Sequence, residues 1–374
     1  MRHLSNVYRL GIKELWSLAR DPMMLVLIAY SFTFAIYVGA TAQPEGVHLA
    51  PIAIVDEDAS PLSARISSAF FPPYFKTPGK VSLGQADAGL DMGAYTFALD
   101  IPPNFQRDVL AGRPAAIQLN VDATRMSQAF TGSAYIEQIV LREINEFVQR
   151  YHSSAALPVD LAVRARFNPT LDQTWFGSLM EVIDQVTMLS FLLAGAALIR
   201  EREHGTIEHL LAMPVTPGEI MLSKIWSTSV VVLAAAVLSL TFVVRGVLRV
   251  PVEGSAALFF ACASLHLFAM TSMGILLATA ARSMPQFGLL MVLIMLPLRL
   301  LSGGVTPRES MPKVVQDLMQ VAPTTHFVSA GQAILFRGAG LKIVWPQFLA
   351  LSVIGSILFV ISLRRFRGTI GQMA

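Results

Sequence analysis

The side chains best placed to do chemistry in this sequence are four glutamates in a short segment between two apolar runs. They are Glu201, Glu203, Glu208 and Glu219. Glu201 and Glu208 are seven residues apart, so they share one face if the helix is continuous. A short acidic helix that is bounded by Gly205 and Pro214 is suited to docking in a groove on a soluble partner. The alternative, an ordinary helical hairpin with solvated charges, remains open on composition alone.

Acidic residues also lie near the ends of predicted strands closer to the N-terminus. They are Asp56, Glu57, Asp58 and Asp122. Carboxylates there could hold a divalent ion, but aspartate is a common turn residue, so turn and capping roles are favoured. The sequence offers no supported Ser-His-Asp or paired-carboxylate arrangement, and its single cysteine, Cys262, excludes a cysteine-based metal cluster. We predict no catalytic, cofactor-binding or metal-binding residue.

Further polar side chains lie in or beside apolar runs, where an ionisable group is a functional hypothesis because burying a charge is costly. Glu181 and Asp184 share a helix face and are candidates to line a pathway or attract cationic compounds; simple solvation at the interface is the alternative. For His266 we favour a hydrogen bond between helices over a proton relay, because its run contains no acidic residue. We interpret Arg299 as snorkelling to the membrane interface.

The elements that position these residues are membrane spans. Of the 374 residues, 54% are hydrophobic and 14% are charged, whereas an ordinary soluble domain is about 25% charged. This composition excludes a soluble globular protein, and together with a net charge of +3 it excludes a disordered chain. Six runs are apolar enough to span a bilayer, although Pro297 and Arg299 interrupt the fifth. The runs are residues 22–44, 185–199 (or from 179), 225–244, 254–281, 283–298 and 343–363.

The basic residues of the short loops indicate the orientation of the chain. Segments that we assign to the cytoplasm carry 11 Lys and Arg in 58 residues, against 6 in 52 for the short outside loops. This bias predicts that both termini lie inside. The first run is too long for a cleaved signal peptide and is expected to stay as an anchor. Residues 3–20 predict a basic amphipathic helix in the headgroup layer, with a solvated helical lead-in as the alternative.

Residues 45–178 differ in composition from the rest of the chain, since they carry 24 of its 53 charges. Short apolar runs at 51–55, 95–101 and 116–121 have the length of strands and alternate with helical patterns. Repeated strand-helix units predict a small α/β domain, which the assigned orientation places outside the cytoplasm.

The predicted fold is a polytopic α-helical membrane protein with six transmembrane helices, both termini inside, and an extracytoplasmic α/β domain inserted between the first and second spans. Its parts are an interfacial helix (1–21), the first span (22–44), the inserted domain (45–178), spans two to six (179–363) and a cytoplasmic tail (364–374). Residues 200–224 form a cytoplasmic loop within the second membrane part.

The residues of this loop resemble a known family. The string Glu203, Gly205, Thr206, Glu208, Leu210, Leu211, Pro214, Glu219 and Lys224 resembles the intracellular loop of ABC-2 type transporter permeases, the membrane subunits of bacterial ATP-driven exporters. The stretches RHLSNVYRLGIKELWSLARDP (2–22) and VDEDASPLS (55–63) resemble the drug-efflux branch with an enlarged extracytoplasmic domain. The resemblance extends over essentially the whole chain.

The resemblance implies roles for particular residues. It implies that the loop receives the movement of the ATPase, and that residues 300–342 form a re-entrant outer region, which is tolerated at membrane depth only when buried in protein or lining a cavity. The implied coupling residues are Glu201, Glu203, Gly205, Thr206, Glu208, Leu211, Pro214 and Glu219. The implied outer gate is Ser302, Gly303 and Gly304.

The resemblance also implies partners: a cytoplasmic ATPase subunit, a second permease copy or homologue, and a periplasmic adaptor, besides membrane lipids. The sequence contains no GxxxxGK[ST] phosphate loop, so ATP and Mg must be handled by the ATPase subunit. The small basic excess reflects membrane orientation and does not indicate a nucleic-acid partner.

We therefore predict a permease subunit of an ATP-binding cassette exporter, not an enzyme, located in the bacterial inner membrane. It would move an amphiphilic or drug-like substrate out of the cytoplasm or inner leaflet. One alternative is a membrane-anchored receptor or scaffold, for which six spans are more than an anchor requires. The other is a secondary transporter, which is expected to show internal repeats that this sequence lacks.

Overall fold

The protein is described from a computed structural model that covers residues 2–41, 49–122, 126–151, 173–203, 205, 214–306 and 308–371. The chain divides into two compact units. One comprises Met1–Ala42 together with Ala165–Ala374, and the other is Gln43–Arg164. Among the described residues, six helices are long and apolar enough to cross a membrane, and all six belong to the first unit. The prediction of a six-span helical membrane protein is confirmed at this level.

The chain begins with two helical segments that meet at a turn. Helix α1 (Arg2–Ala19) is amphipathic. The first span follows as α2 (Pro22–Tyr30), a π-helical turn (Ser31–Ala35) and α3 (Ile36–Thr41). Asp21 separates α1 from this span because its side chain accepts a hydrogen bond from the backbone of Met24 and Pro22 occupies the first helical turn.

The unit Gln43–Arg164 is built on a four-stranded sheet. Its strands are β1 (Ile52–Asp56), β2 (Gly79–Lys80), β3 (Phe97–Ile101) and β4 (Gln118–Val121). The order is β2-β1-β3-β4, with β1 parallel to both of its neighbours and β4 antiparallel to β3. Three of these strands correspond to the predicted ones, and the two-residue strand β2 was missed because it has no apolar run of its own.

Helices cover both faces of this sheet. They are α4 (Pro61–Ser68), α5 (Leu83–Asp91), α6 (Phe105–Leu110) and α7 (Met126–Tyr151). Side chains alternate along each strand. Ile52 and Ile54 therefore pack with α4, α6 and α7 on one face, while Ala53 and Val55 pack with α5 on the other. Ser60 caps α4 through a reciprocal pair of hydrogen bonds with Ser63.

The remaining helices continue the membrane unit. Four spans are α8 (Gln173–Glu203), α9 (Pro217–Leu238) with a π-helical extension (Ser239–Val247), α10 (Ala256–Ala280) and α11 (Met284–Leu301). A 3₁₀ turn (Arg308–Ser310) and two short helices, α12 (Lys313–Met319) and α13 (Pro323–Leu335), precede the last span, α14 (Leu341–Gly371). Helices α8 and α10 form the buried centre, whereas α11 is exposed along most of its length.

Two spans differ in extent from their sequence patterns. Helix α8 begins at Gln173, ahead of the predicted entrance. Its residue Glu181 accepts a hydrogen bond from Gln185 of the same helix, and Asp184 pairs with Arg299 of α11. Helix α11 continues through Pro297 to Leu301, so the predicted interruption does not occur. The predicted re-entrant region 300–342 contains the 3₁₀ turn, α12 and α13.

Candidate functional site

The spans meet α1 at one end of the membrane unit, and a buried lysine lies at that junction. Lys224 on α9 has a side chain that is 2% exposed, with its ammonium 2.8 Å from Glu201 on α8 and 3.0 Å from Glu14 on α1. A buried ammonium is tolerated when it is paired. These three side chains, which we call the base triad, therefore join α1 to the second and third spans.

The electrostatics of the triad favour an ionised Glu14. Burial alone would raise the pKa of the Glu14 carboxyl, but the neighbouring Lys224 ammonium outweighs it, and the pKa is lowered. Lys13 adds a weaker contact, 3.8 Å from Glu201.

A capping carboxylate makes a second connection between α1 and α9. Glu219 is buried and forms a reciprocal capping box with Thr216 at the start of α9. Its carboxylate also lies 2.9 Å from the His3 ring and accepts a 3.2 Å hydrogen bond from Asn6.

The third connection is aromatic. The Trp226 indole N–H donates to the carbonyl of Val7 at 3.1 Å, and its ring stacks on Tyr8 with centroids 5.9 Å apart. A Cβ at Gly11 would lie 2.1 Å from this ring, so only glycine fits there without displacing the tryptophan. Helix α1 is thus seated on α9 along its length and not only at a single point.

The C-terminal end of α8 is fastened to other helix ends. Arg200 pairs with Asp21 at the start of α2. Arg202 donates to the carbonyls of Ala278 and Ala281 at 3.1 and 2.8 Å, and the Glu203 carboxylate accepts a 2.9 Å bond from the backbone of Met284. The C-terminal end of α8 is therefore joined to the N-terminal ends of α2 and α11 and to the C-terminal end of α10.

The predicted coupling residues divide into two groups. Glu201 and Glu219 are held in the contacts with α1, and Glu203 contacts the start of α11. Gly205 ends α8 with φ +67°, a left-handed conformation suited to glycine, and Pro214 lies just before α9. Thr206, Glu208 and Leu211 lie outside the described residues.

Sequence reasoning gave no role to Glu14, Lys224 or Trp226. A signal for Lys224 was available, since a lone basic residue inside an apolar span needs a counter-charge. Its partner Glu14 is 210 residues away, so no local pattern could identify it.

At the opposite end of α8, a second ionic cluster joins two spans. Arg299 on α11 donates to Asp184 at 2.9 Å and to Glu181 at 3.1 Å. Gln185 donates to the same Glu181 at 2.7 Å. The arginine side chain is 56% exposed, but its head is paired with both carboxylates. The interpretation of Arg299 as a snorkelling side chain stays a prediction, and the structure adds two acidic partners to it.

A cleft of about 220 Å³ adjoins this ionic cluster, between α8, α11 and α13. Its wall is mainly apolar and rich in methionine, a flexible side chain that adapts to differently shaped ligands. The polar groups at its edge include Asp184, Thr187 and Arg299. The apolar side chains are Met188, Met291, Val292, Met295, Leu296, Leu298 and Val328.

One of the three predicted gate residues, Ser302, lines this cleft, and the other two follow it directly in the chain. Ser302 donates to the Arg299 carbonyl at 3.1 Å. Gly303 has φ +97°, which favours glycine, and its carbonyl accepts a 3.4 Å bond from Gln332. A Cβ at Gly304 would lie 2.6 Å from the Met180 side chain.

His266 lies in the buried centre of the unit. Its Nε2 is 2.9 Å from the Thr187 hydroxyl, and its ring stacks on Phe327 with centroids 4.1 Å apart. It therefore links α10 to α8 and α13, as the favoured helix-helix hydrogen bond predicts. Within the described ranges, no group of three His, Cys, Asp or Glu side chains could hold a metal ion.

Fold and site together define a polytopic membrane protein whose helices are joined by ion pairs and hydrogen bonds at one end and form an apolar cleft at the other. The chain belongs to the ABC-2 family of transporter proteins, which matches residues 22–364. This confirms the family that the loop residues indicate.

Relatives match along nearly the whole chain. It is 60% identical to the inner membrane transport permease YhhJ of Escherichia coli K12 over 374 residues, all of both chains. It is 27% identical over 354 residues to the probable multidrug ABC transporter permease YbhR of the same strain, covering 91% of this chain and 93% of the relative. It is 24% identical over 365 residues to the probable multidrug ABC transporter permease YbhS of that strain, covering 95% of this chain and 94% of the relative. The chain is thus an ABC transporter membrane subunit and a multi-pass inner-membrane protein, and its family implies an ATPase partner and a dimer.

Proposed function

We propose that the protein is the permease subunit of an ATP-binding cassette exporter, which moves an amphiphilic or drug-like substrate out of the cytoplasm or inner leaflet. A separate ATPase subunit binds ATP and Mg and hydrolyses the nucleotide. The observation that carries the proposal is the set of contacts at one end of the membrane unit, which join α1 to α8 and α9 and join the end of α8 to the ends of α10 and α11.

This arrangement suits the transmission of a movement across the membrane. Helix α8 is continuous from the base triad to the ionic cluster with Arg299. Glu201 and Asp184 are 17 residues apart, or about 26 Å at 1.5 Å per residue. A rigid helix of this length moves as a unit, so a push on residues 200–224 displaces Asp184 relative to Arg299. Transport requires that ATP favours one of two such arrangements.

The outer gate in this mechanism is the segment Ser302-Gly303-Gly304. It follows α11 directly and borders the cleft. The left-handed backbone at Gly303 provides a point at which the chain can change direction without a side-chain clash. Movement of α11 with Arg299 would open the cleft toward the outside.

The cleft itself points to a class of substrate. Its methionine-rich wall accepts apolar groups of varied shape. Asp184 and Glu181 offer negative charge where a cationic group can replace Arg299. Cationic amphiphiles therefore fit better than anionic or strongly polar solutes.

The remaining elements of the proposal are the assembly and its orientation. Exposed leucine side chains on α11 that lie outside the cleft suit a second permease copy or homologue. These are Leu289 and Leu293. We place both termini in the cytoplasm and the unit Gln43–Arg164 in the periplasm, where it can contact an adaptor protein.

Co-purification tests the proposal against a membrane receptor, scaffold or secondary transporter. The tagged full-length chain is expressed in its own host, extracted in mild detergent and analysed for stoichiometric partners. We expect a soluble subunit with a GxxxxGK[ST] phosphate loop, and ATP-dependent uptake of a lipophilic cation into inverted membrane vesicles. Cation uptake that is driven by a proton gradient without ATP would contradict the proposal.

A further inference from the structure

A second cavity, distinct from the cleft, lies between α1, α8 and α9. Its volume is about 310 Å³, at the lower end of the range of roughly 300–1,000 Å³ for small-molecule sites. The lining residues come from all three helices and include charged, hydroxyl and apolar side chains. Helix α1 contributes Lys13, Glu14 and Leu18, and α9 contributes Thr228 and Val231. Helix α8 contributes Leu193, Ala197, Arg200 and Glu201.

The lining changes from polar to apolar along each span. On α8, Arg200 and Glu201 lie near the helix end, and Leu193 lies seven residues farther into the span, about 10 Å at 1.5 Å per residue. On α9, Thr228 is followed one turn deeper by Val231. One end of the cavity therefore suits a charged group and the other suits hydrocarbon.

Both signs of charge face the polar end. Glu14 and Glu201 share the buried Lys224, so the formal charges of the three groups sum to −1. Lys13, whose side chain is 53% exposed, lies 3.8 Å from Glu201, and Arg200 pairs with Asp21. A purely anionic ligand would meet two carboxylates here, and a purely cationic ligand would meet Lys13 and Arg200.

A zwitterionic ligand satisfies both sets of charges. An ammonium group donates charge-assisted hydrogen bonds to Glu14 and Glu201, and a phosphate accepts them from Lys13 and Arg200. Basic pockets between transmembrane helices bind anionic headgroups, whereas this cavity carries both signs of charge. An amphipathic helix such as α1 lies at the depth of the headgroups.

We propose that this cavity binds the headgroup of one amine-bearing zwitterionic phospholipid, drawn from the leaflet on which α1 lies. The acyl chains follow Leu18, Leu193 and Val231 into the bilayer. The base triad joins α1 to α8 and α9 through side chains. The bound lipid adds a second connection between the same three helices. The site is separate from the substrate cleft and does not depend on the direction or substrate of transport.

Native mass spectrometry of the purified full-length chain tests this site. The delipidated protein is titrated with phosphatidylethanolamine, phosphatidylcholine and phosphatidylglycerol of identical acyl chains. We expect one phosphatidylethanolamine per chain to bind about tenfold more tightly than phosphatidylcholine, whose quaternary amine cannot donate to Glu14 and Glu201. Equal or tighter binding of phosphatidylglycerol would overturn the proposal.

Cavity-filling variants locate the lipid. Ala197→Phe and Thr228→Phe introduce a ring from α8 and from α9, and either folded variant should lose the tight phosphatidylethanolamine. Val230→Phe on the exposed side of α9 is the matched control and should retain it. If a folded cavity-filling variant still bound phosphatidylethanolamine tightly, the assignment of the lipid to this cavity would be overturned.

If neither phenylalanine variant folds, Lys13→Ala tests the site instead. The half-exposed Lys13 side chain contributes little to the packing of the core, so this variant should fold. We expect this change to weaken phosphatidylethanolamine binding severalfold; unchanged binding would overturn the proposal.

Discussion

The ammonium of Lys224 lies 2.8 Å from the carboxylate of Glu201 and 3.0 Å from that of Glu14, although these residues belong to three different helices. A buried cation with two acidic partners holds those helices at a defined spacing. The pairs therefore fix α1 against the two spans that flank residues 204–213.

Replacing the lysine should destabilise the protein strongly. Lys224→Met leaves two carboxylates buried without their counter-ion, and removing one partner of a buried ion pair costs about 3–5 kcal/mol. The thermal unfolding midpoint of the detergent-purified chain measures the effect. Lys342→Met, at an exposed position, is the control and should change stability by no more than about 0.5 kcal/mol. Equal midpoints for the two variants would contradict the role of the triad.

The same contact predicts a dependence of stability on pH. The pKa of Glu14 is lowered from its ordinary value of 4.5 in the folded protein, so the unfolded chain binds the proton more readily. The stabilisation by Glu14 is then fully present above pH 4.5 and is lost as pH falls through the lowered folded-state value. Unfolding midpoints recorded between neutral and acidic pH should fall less in Glu14→Gln than in the unsubstituted chain. If the unfolding midpoints of the variant and the unsubstituted chain fall equally with pH, Glu14 makes no such contribution to stability.

The close packing of α1 against the Trp226 ring predicts that a larger residue at position 11 destabilises the protein. Gly11→Ala places a Cβ 2.1 Å from the indole ring, and overpacking of this kind costs about 1–3 kcal/mol. We expect a lower unfolding midpoint and faster proteolysis within α1. Gly84→Ala, at a helical glycine with open space around it, is the matched control. Equal behaviour of the two variants would show that α1 is not seated on this ring.

Much of the fold follows from local sequence patterns. Spans are apolar runs whose length matches the bilayer, and the start of α4 follows from Ser60-Pro61, whose capping geometry is local. Such features depend only on neighbouring residues. This is also why the two-residue strand β2 escaped prediction: it is formed by pairing with β1 and not by its own composition.

The pairings within the candidate site could not be predicted in the same way. Arg299 and Glu181 are 118 residues apart, and Lys224 and Glu14 are 210 residues apart. Each appears in sequence as an isolated charge near an apolar run. Only the packing of the helices determines which charges meet, so the sequence identified Glu181 and Asp184 as candidates without identifying their partner.

The ionic cluster at the cleft predicts substrate selectivity. Asp184→Asn removes a charge that can receive a cationic group in place of Arg299. We expect ATP-dependent uptake of cationic amphiphiles into inverted vesicles to fall about tenfold, the factor for one charge-assisted hydrogen bond, while neutral amphiphiles are less affected. Asp317→Asn on α12, at an exposed position, is the control and should change the uptake of neither cationic nor neutral amphiphiles. An equal loss for cationic and neutral compounds would contradict a charge-recognition role.

Residues 200–224 are proposed to couple ATP hydrolysis to transport, and reconstitution with the ATPase tests this role. ATP hydrolysis and substrate uptake are measured in the same proteoliposomes for the unsubstituted chain and for Thr206→Ala and Glu208→Ala. We expect both variants to insert in the membrane normally but to transport less substrate per ATP hydrolysed. An unchanged ratio of transport to hydrolysis in both variants would contradict this role.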